Sequence, residues 1–183
     1  MEMSHCPKFL EKSLSKETVM QIRKLPVLAL YTTLSLAIFA AESLLPPLVP
    51  IPGIKLGLAN IITLVVLRHD SPQEAALVLT ARILLSSFLF GQLVSLFYSL
   101  AGGILSLAAM YLTNRCLHKK MPFLTGAMGG LFHNIGQLLA ARLLLSSSAV
   151  WAYFPFLGLG GILTGFFTGL CAHYAGRLLP RRS

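Results

Sequence analysis

Six long apolar stretches lie between Val27 and Leu179, separated by short polar or proline-rich segments. Most are near 20 residues, the length of an α-helix that crosses the roughly 30 Å hydrocarbon core of a bilayer. We therefore predict an all-α integral membrane bundle of six transmembrane helices, with an N-terminal arm (1–25) and a C-terminal tail (180–183). The helices are placed at 26–45, 54–67, 73–90, 93–112, 122–145 and 153–179.

The segment between the first two predicted helices carries four prolines within residues 46–52. It cannot be helix interior, because proline lacks the N–H that a helix needs. The helix that follows it, 54–67, is only about 21 Å long at about 1.5 Å per residue. We expect either that this extended loop dips into the protein or that the bilayer thins locally.

Composition and charge agree with a membrane location. Of the 183 residues 55% are hydrophobic and 11% charged, against about 25% charged in a soluble domain. All 15 lysines and arginines except Lys55, Arg82 and Arg142 lie in the arm, at the C-terminal end or in the loops after helices 2 and 4. This positive-inside bias predicts a multi-pass protein of the cell membrane with both termini in the cytoplasm.

The net charge of +9 could also indicate nucleic-acid binding. The basic residues flank apolar segments, however, and are not interleaved with aromatic residues on one soluble face, so we do not expect nucleic acid as a partner. Cys6, Cys116 and Cys171 form no CxxC motif and are expected to be free thiols.

Small residues recur every four positions on several helices, which places them on one face and lets helix backbones approach closely. For helices 4 to 6 we expect this face to pack within the bundle. Helix 1 carries such a stripe at Ala29, Thr33, Ala37 and Ala41. Internal packing and contact with another membrane subunit are both open for helix 1.

Six ionisable residues fall within or at the edge of the predicted helices: Glu42, Lys55, Arg82, His133, Arg142 and His173. A charge at the bilayer centre costs roughly 2.5–3.5 kcal/mol on insertion scales, so each needs an explanation. Lys55 and Arg142 lie near a membrane surface and could extend to it, and His173 is expected to be a packed or interfacial histidine. Arg82 is predicted near mid-depth, where Glu42 is the only acidic residue to offset three cations.

Helix 5 adds His133, Asn134 and Gln137, whose side chains project into one sector of the helix. Hydrogen bonding between helices would explain them, and so would a polar binding pocket. We favour a pocket for an anionic or strongly polar solute, since guanidinium groups bind carboxylate and phosphate. Its candidate residues are Glu42, Lys55, Asn60, Arg82, His133, Asn134 and Gln137. In the competing account Arg82 bonds helix carbonyls or reaches a cytoplasmic partner.

Four sequence segments carry a family resemblance: Leu-Tyr-Thr in helix 1, Pro-Ile-Pro-Gly-Ile-Lys-Leu-Gly-Leu-Ala-Asn (50–60), Leu-Ala-Gly-Gly-Ile-Leu-Ser (100–106) and His-Asn-Ile-Gly-Gln (133–137). The chain resembles the Gx transporter family, often labelled heptaprenyl diphosphate synthase component I. That family is similar to the substrate-binding S components of energy-coupling factor transporters. The resemblance implies a solute pocket closed by the loop between helices 1 and 2. It also implies that the helix 1 stripe contacts a membrane coupling subunit, which recruits cytoplasmic ATPases.

The sequence argues against catalysis by this chain alone. Prenyl-chain elongation needs paired aspartate-rich motifs to hold Mg²⁺, and Asp70 is the only aspartate. We expect no metal, no cofactor and no enzymatic activity. A solute-binding transport subunit is the preferred function. The alternatives are a non-catalytic membrane accessory to polyprenyl diphosphate or quinone synthesis, and a structural subunit of a membrane redox assembly.

Overall fold

The computed structural model describes residues 8–44, 55–90 and 93–178, with side chains from Lys24 onward. These residues form six α-helices: α1 (Lys8–Ser43), α2 (Asn60–His69), α3 (Pro72–Phe90), α4 (Leu93–Cys116), α5 (Pro122–Leu145) and α6 (Phe154–Leu178). A short 3₁₀ helix, Ser148–Tyr153, precedes α6. No β-strand occurs in this part of the chain, which confirms the all-α prediction.

Four helical segments are long and apolar enough to cross a membrane: Lys24–Ser43, Pro72–Phe90, Leu93–Cys116 and Ser148–Leu178. They indicate a membrane protein. The helix α5 has 24 residues but is not among the four, since His133, Asn134 and Gln137 interrupt its apolar sequence. The ten residues of α2 extend only about 15 Å. Six membrane crossings therefore stay a prediction.

Two predicted helix boundaries are wrong. The first helix begins at Lys8, not at Pro26, and continues through this proline. Residues 8–24 are rich in lysine, glutamate and leucine, which favour helix, and membrane helices tolerate an internal proline. The apolar part nevertheless starts at Lys24, near the predicted edge of the membrane domain.

The second helix begins at Asn60 rather than at residue 54, and residues 55–59 are not helical. Gly57 has φ +80°, a left-handed conformation that a helix cannot include. The proline-rich segment (46–53), residues 91–92 between the third and fourth helices and the tail (180–183) lie outside the described residues.

The other predicted helices agree with the structure to within a few residues. Helix α3 starts one residue early, at Pro72, and α5 has the predicted bounds. Helix α4 continues to Cys116, four residues beyond its predicted end at residue 112.

The short helix α2 lies at the centre of the bundle. It contacts all five other helices, and seven of its ten residues are buried. Around it the remaining helices contact one another in the order α1, α3, α4, α5, α6, and no contact joins α1 to α6 within the described residues. Most of α2 is apolar around its whole circumference, as expected for a helix buried in a core. Because the other helices surround it, α2 need not span a bilayer by itself.

Glycines bring α5 and α6 into backbone contact, as predicted. A Cβ atom added at Gly126 would collide with the carbonyl oxygen of Gly165, and one added at Gly130 would collide with that of Gly161. On α4, Ser95, Ser99 and Gly103 are buried, so the small residues of α4 to α6 pack within the bundle.

Candidate functional site

A polar cluster lies at one end of the bundle, where α1 ends and α2 begins; we call this the loop end. The Glu42 carboxylate, 6% exposed, accepts hydrogen bonds from two backbone N–H groups. The Gly57 N–H donates to Oε1 at 2.7 Å and the Leu58 N–H to Oε2 at 3.0 Å. Hydrogen bonds to a carboxylate are strong, and these two hold residues 57–58 against the last turn of α1.

Lys55 is held by the same end of α1. Its Nζ donates to Ser43 Oγ at 2.6 Å and lies 3.6 Å from the centre of the Phe39 ring. Burial lowers the pKa of Lys55 from its ordinary value; the Glu42 carboxylate opposes this effect and Arg82 adds to it. The ammonium group forms no direct ion pair with Glu42.

Helix α5 meets this segment through Gln137 and His133. The Lys55 N–H donates to Gln137 Oε1 at 3.4 Å, and Gln137 Nε2 lies 3.0 Å from His133 Nε2. An amide nitrogen can only donate, so His133 Nε2 is the acceptor and its ring is neutral in this arrangement. Gly57 packs on the same ring, where an added Cβ would lie 2.7 Å from His133 Cδ2.

Arg82 is the buried cation of the cluster. Its side chain projects from α3, is 3% exposed, and has its guanidinium carbon 5.9 Å from the Phe39 ring centre. It interacts electrostatically with Glu42, Lys55 and His133, but pairs directly with no described acid. Its buried Nε and Nη2 atoms have no hydrogen-bond partner among the described residues.

The two asparagines bond to neighbouring helices. Asn60 Nδ2 donates to Ser106 Oγ at 3.3 Å, and Asn134 Nδ2 donates to the carbonyl of Leu157 at 2.6 Å. The Oδ1 atoms of both residues are buried without a partner in the described part of the chain. Asn134 therefore links α5 to α6, which is the packing role that the sequence left open.

Of the seven candidate residues, four contact residues 55–58 or one another: Glu42, Lys55, His133 and Gln137. Arg82 interacts with three of them electrostatically. Asn60 borders this group, since its side chain lies beside Gly57. Sequence reasoning missed the backbone donors of Gly57 and Leu58, together with Ser43 and Phe39. Gly57, shortly after the proline-rich loop, was a signal for a turn in the backbone. No local feature of the sequence identified Glu42 as the acceptor of its N–H.

The remaining ionisable residues lie apart from the cluster. Arg142 is exposed at the end of α5, as expected for a residue near a membrane surface. The His173 ring lies 5.7 Å from that of Phe123 and 5.6 Å from that of Tyr174, so this half-buried histidine packs against aromatic rings.

The helix 1 stripe faces away from the bundle. Ala29, Thr33, Ala37 and Ala41 are all exposed, while the residues of α1 that pack inward include Ser35 and Phe39. Helix α1 contacts only α2 and α3 among the described helices. Within the described part of the chain, the stripe therefore does not pack inside the bundle.

The opposite end of the bundle, where α4 ends and α5 begins, is the basic end. Arg68 at the end of α2 donates to Asn114 Oδ1 and to the Lys119 carbonyl, and Lys119 Nζ donates back to the Arg68 carbonyl at 3.2 Å. His69 and Asp70 follow Arg68 directly in the chain, and His69 Nδ1 lies 3.4 Å from Asp70 Oδ1. Across the described residues, no group of three or more histidine, cysteine, aspartate or glutamate side chains could hold a metal, and Cys116 and Cys171 are free thiols.

Comparison with known protein families assigns the chain to one family. The model of the family described as heptaprenyl diphosphate synthase component I matches residues 31–175, so the chain belongs to this family and the suspected label is confirmed. No curated protein and no solved structure matched the chain.

Proposed function

We propose that this chain is the solute-binding membrane subunit of an energy-coupling-factor-like uptake transporter, and that its solute is anionic. The observation that carries the proposal is the unpaired edge of Arg82. Nε–H and one Nη2–H of a guanidinium point the same way, so together they form a fork that suits two oxygens of a carboxylate or phosphate. In Arg82 this fork is buried and unoccupied by any described residue.

Energetics favour an anion at this position. A buried charge that lacks its partner costs about 3–5 kcal/mol, and Glu42 does not supply the missing contact. Both Glu42 oxygens accept backbone N–H groups, and Lys55 adds a second cation. An anionic solute would complete the coordination of Arg82, with Lys55 contributing from the loop end.

The alternative explanation, in which Arg82 bonds helix carbonyls or reaches a cytoplasmic partner, has less support. Its Nε and Nη2 bond no helix carbonyl of the described residues, and with 3% exposure the side chain does not extend to a surface. His133 and Gln137 are engaged with each other and with Lys55. They would form the wall of the site and would contact the solute only after rearranging.

The proposed subunit has no catalytic activity of its own. Glu42 is the only acid in the cluster, and it is bound to backbone amides. Energy for uptake would come from partner ATPases through a coupling subunit bound to the exposed stripe of α1. In this arrangement the protein crosses the cell membrane several times, with both termini in the cytoplasm, as the distribution of basic residues predicts.

The test begins with mass spectrometry of small molecules retained by the purified protein, followed by binding measurements with the anion so identified. Arg82→Met should weaken binding at least roughly tenfold, as expected for loss of a charge-assisted bidentate contact. Arg82→Lys should weaken it less, because the charge remains without the fork. Arg142→Met removes an exposed arginine and serves as the control. Unchanged affinity in folded Arg82→Met protein would refute the anion site.

A second candidate function is supported by the family description. The chain could be a non-catalytic membrane accessory to polyprenyl diphosphate synthesis, which binds a soluble synthase at the basic end. Purification from native membranes separates the two functions. The accessory role would be favoured by a synthase that co-purifies with this chain. Without the chain, that synthase should be less active or make shorter products. A co-purifying coupling subunit with ATPases would favour uptake.

A further inference from the structure

A groove between α3 and α4 opens on the bundle surface near the basic end. It has a volume of about 340 Å³, and its walls include Ala76, Leu79 and Thr80 of α3 and Ile104, Ala108 and Tyr111 of α4. We propose that this α3/α4 groove binds one anionic phospholipid, with an acyl chain in the groove and the phosphate on Arg115. The site is independent of the proposed solute site, which lies at the other end of the bundle.

The groove follows from the way the two helices pack. At Gly103 they approach closely, since an added Cβ would lie 3.2 Å from side-chain carbons of both Leu79 and Ile83. Towards the basic end, Ala76 and Ala108 face the same space and are too small to fill it. Both helices are long and apolar enough to cross a membrane, so an unbranched hydrocarbon chain can enter from the bilayer.

A cation is fixed at the end of this groove. Arg115 lies one turn after Tyr111 on α4, and its Nη1 donates to the Tyr111 hydroxyl at 3.1 Å. The guanidinium is exposed, and its other nitrogens make no hydrogen bond with described residues. Lys119 and Lys120 are exposed just beyond it. A phosphate can therefore be bound by Arg115 while the attached chain occupies the groove.

Two acidic residues, Asp70 and Glu74, lie at the basic end, and Asp70 Oδ1 is 3.4 Å from His69 Nδ1. Glu74 lies in the first turn of α3 and would repel a phosphate if it were unpaired. Its carboxylate is bound by Lys24 Nζ at 2.7 Å. The charge left at this end of the groove is positive. This combination favours an anionic amphiphile. A zwitterionic phospholipid also carries a phosphate, but the cations at this end of the groove repel its ammonium group, and a soluble anion gains nothing from the groove.

The test is native mass spectrometry of the full chain in micelles that contain equal amounts of phosphatidylglycerol and phosphatidylcholine. We expect one phosphatidylglycerol to be retained in preference to phosphatidylcholine. Arg115→Gln should lower this retention roughly fivefold, the factor expected for one cation near an anionic headgroup. Ala108→Phe, which fills the groove from an exposed position, should lower it by a similar or larger factor.

Two matched variants control for general effects. Arg142→Gln removes an exposed arginine elsewhere, and Leu139→Phe enlarges a side chain in a separate groove between α4 and α5. Both should retain phosphatidylglycerol like the unmodified chain. Equal retention of the two lipids, or equal loss in test and control variants, would overturn the proposal. Displacement by farnesyl diphosphate with the same variant dependence would also overturn it, in favour of a prenyl diphosphate as occupant.

Discussion

Glu42, in the last turn of α1, is hydrogen-bonded to the backbone of Gly57, 15 residues later in the chain. The only buried acid at the loop end thus holds a segment of backbone in place and is not the direct counter-ion of Arg82. Among the described residues the Nε and Nη2 edge of Arg82 therefore has no partner, and the position of residues 57–58 depends on the Glu42 carboxylate.

Replacing Glu42 should release that backbone. In Glu42→Ala, amide hydrogen exchange at Gly57 and Leu58 should accelerate roughly ten- to hundredfold, the range expected when a hydrogen bond to a charged group is lost. Ser43→Ala removes the acceptor of Lys55 Nζ but leaves Glu42 intact, so its exchange rates at the two amides should not change. Equal rates in Glu42→Ala and the unmodified chain would contradict the tether.

Gly57→Ala should destabilise the protein for two reasons. A non-glycine residue in the left-handed conformation costs roughly 1–2 kcal/mol, and the added Cβ would lie 2.7 Å from His133 Cδ2. We expect a lower unfolding temperature in detergent. Gly176→Ala, where an added Cβ meets nothing within 4 Å, is the control and should not destabilise. In a double-mutant cycle, His133→Ala should cost less stability in the Gly57→Ala background than in the unmodified chain. Equal costs would mean that the steric contact is unimportant.

Two adjacent glycines of α6 provide a matched pair. A Cβ at Gly161 would lie 2.7 Å from both Asn134 Nδ2 and the Gly130 carbonyl oxygen, whereas one at Gly160 would be 4.0 Å from Leu56. Gly161→Ala should cost about 1–3 kcal/mol through overpacking, and Gly160→Ala should be neutral or stabilising. Thermal unfolding measures both. Equal effects would show that α5 and α6 are not in close contact there.

The exposed stripe of α1 should bind a membrane partner. Ala37→Trp should weaken capture of the coupling subunit roughly five- to hundredfold, as expected for steric overpacking at a close helix contact. The unfolding temperature should not change, because Ala37 is exposed. Leu163→Trp on the exposed face of α6 is the control. Normal capture by Ala37→Trp would place the partner elsewhere.

The distribution of basic residues predicts an orientation. Reporter tags at Met1 and Ser183 should both be found in the cytoplasm, and a tag inserted at Ser147 should be found on the other side. Opposite locations for the two termini would exclude six crossings.

Hydrophobic patterning predicted the helices α3, α4, α5 and α6 closely, because the length of an apolar stretch is a local property of the chain. It failed at the start of α2, where residues 55–59 share the composition of the helix that follows. The non-helical backbone there is stabilised by Glu42 and is packed against His133, and both contacts join residues distant in sequence.

By itself the sequence determined an all-α membrane protein, a basic end and a small set of polar residues at membrane depth. Each of these follows from the order of apolar, charged and small residues along the chain. Only the tertiary structure decided that α2 lies at the centre, that the α1 stripe faces outward and that Asn134 bonds α6. It also decided that Glu42 binds backbone amides and that, among the described residues, the Nε and Nη2 edge of Arg82 has no partner. These outcomes depend on which helices become neighbours, and the pairing of hydrogen-bond donors and acceptors is settled only when those helices pack.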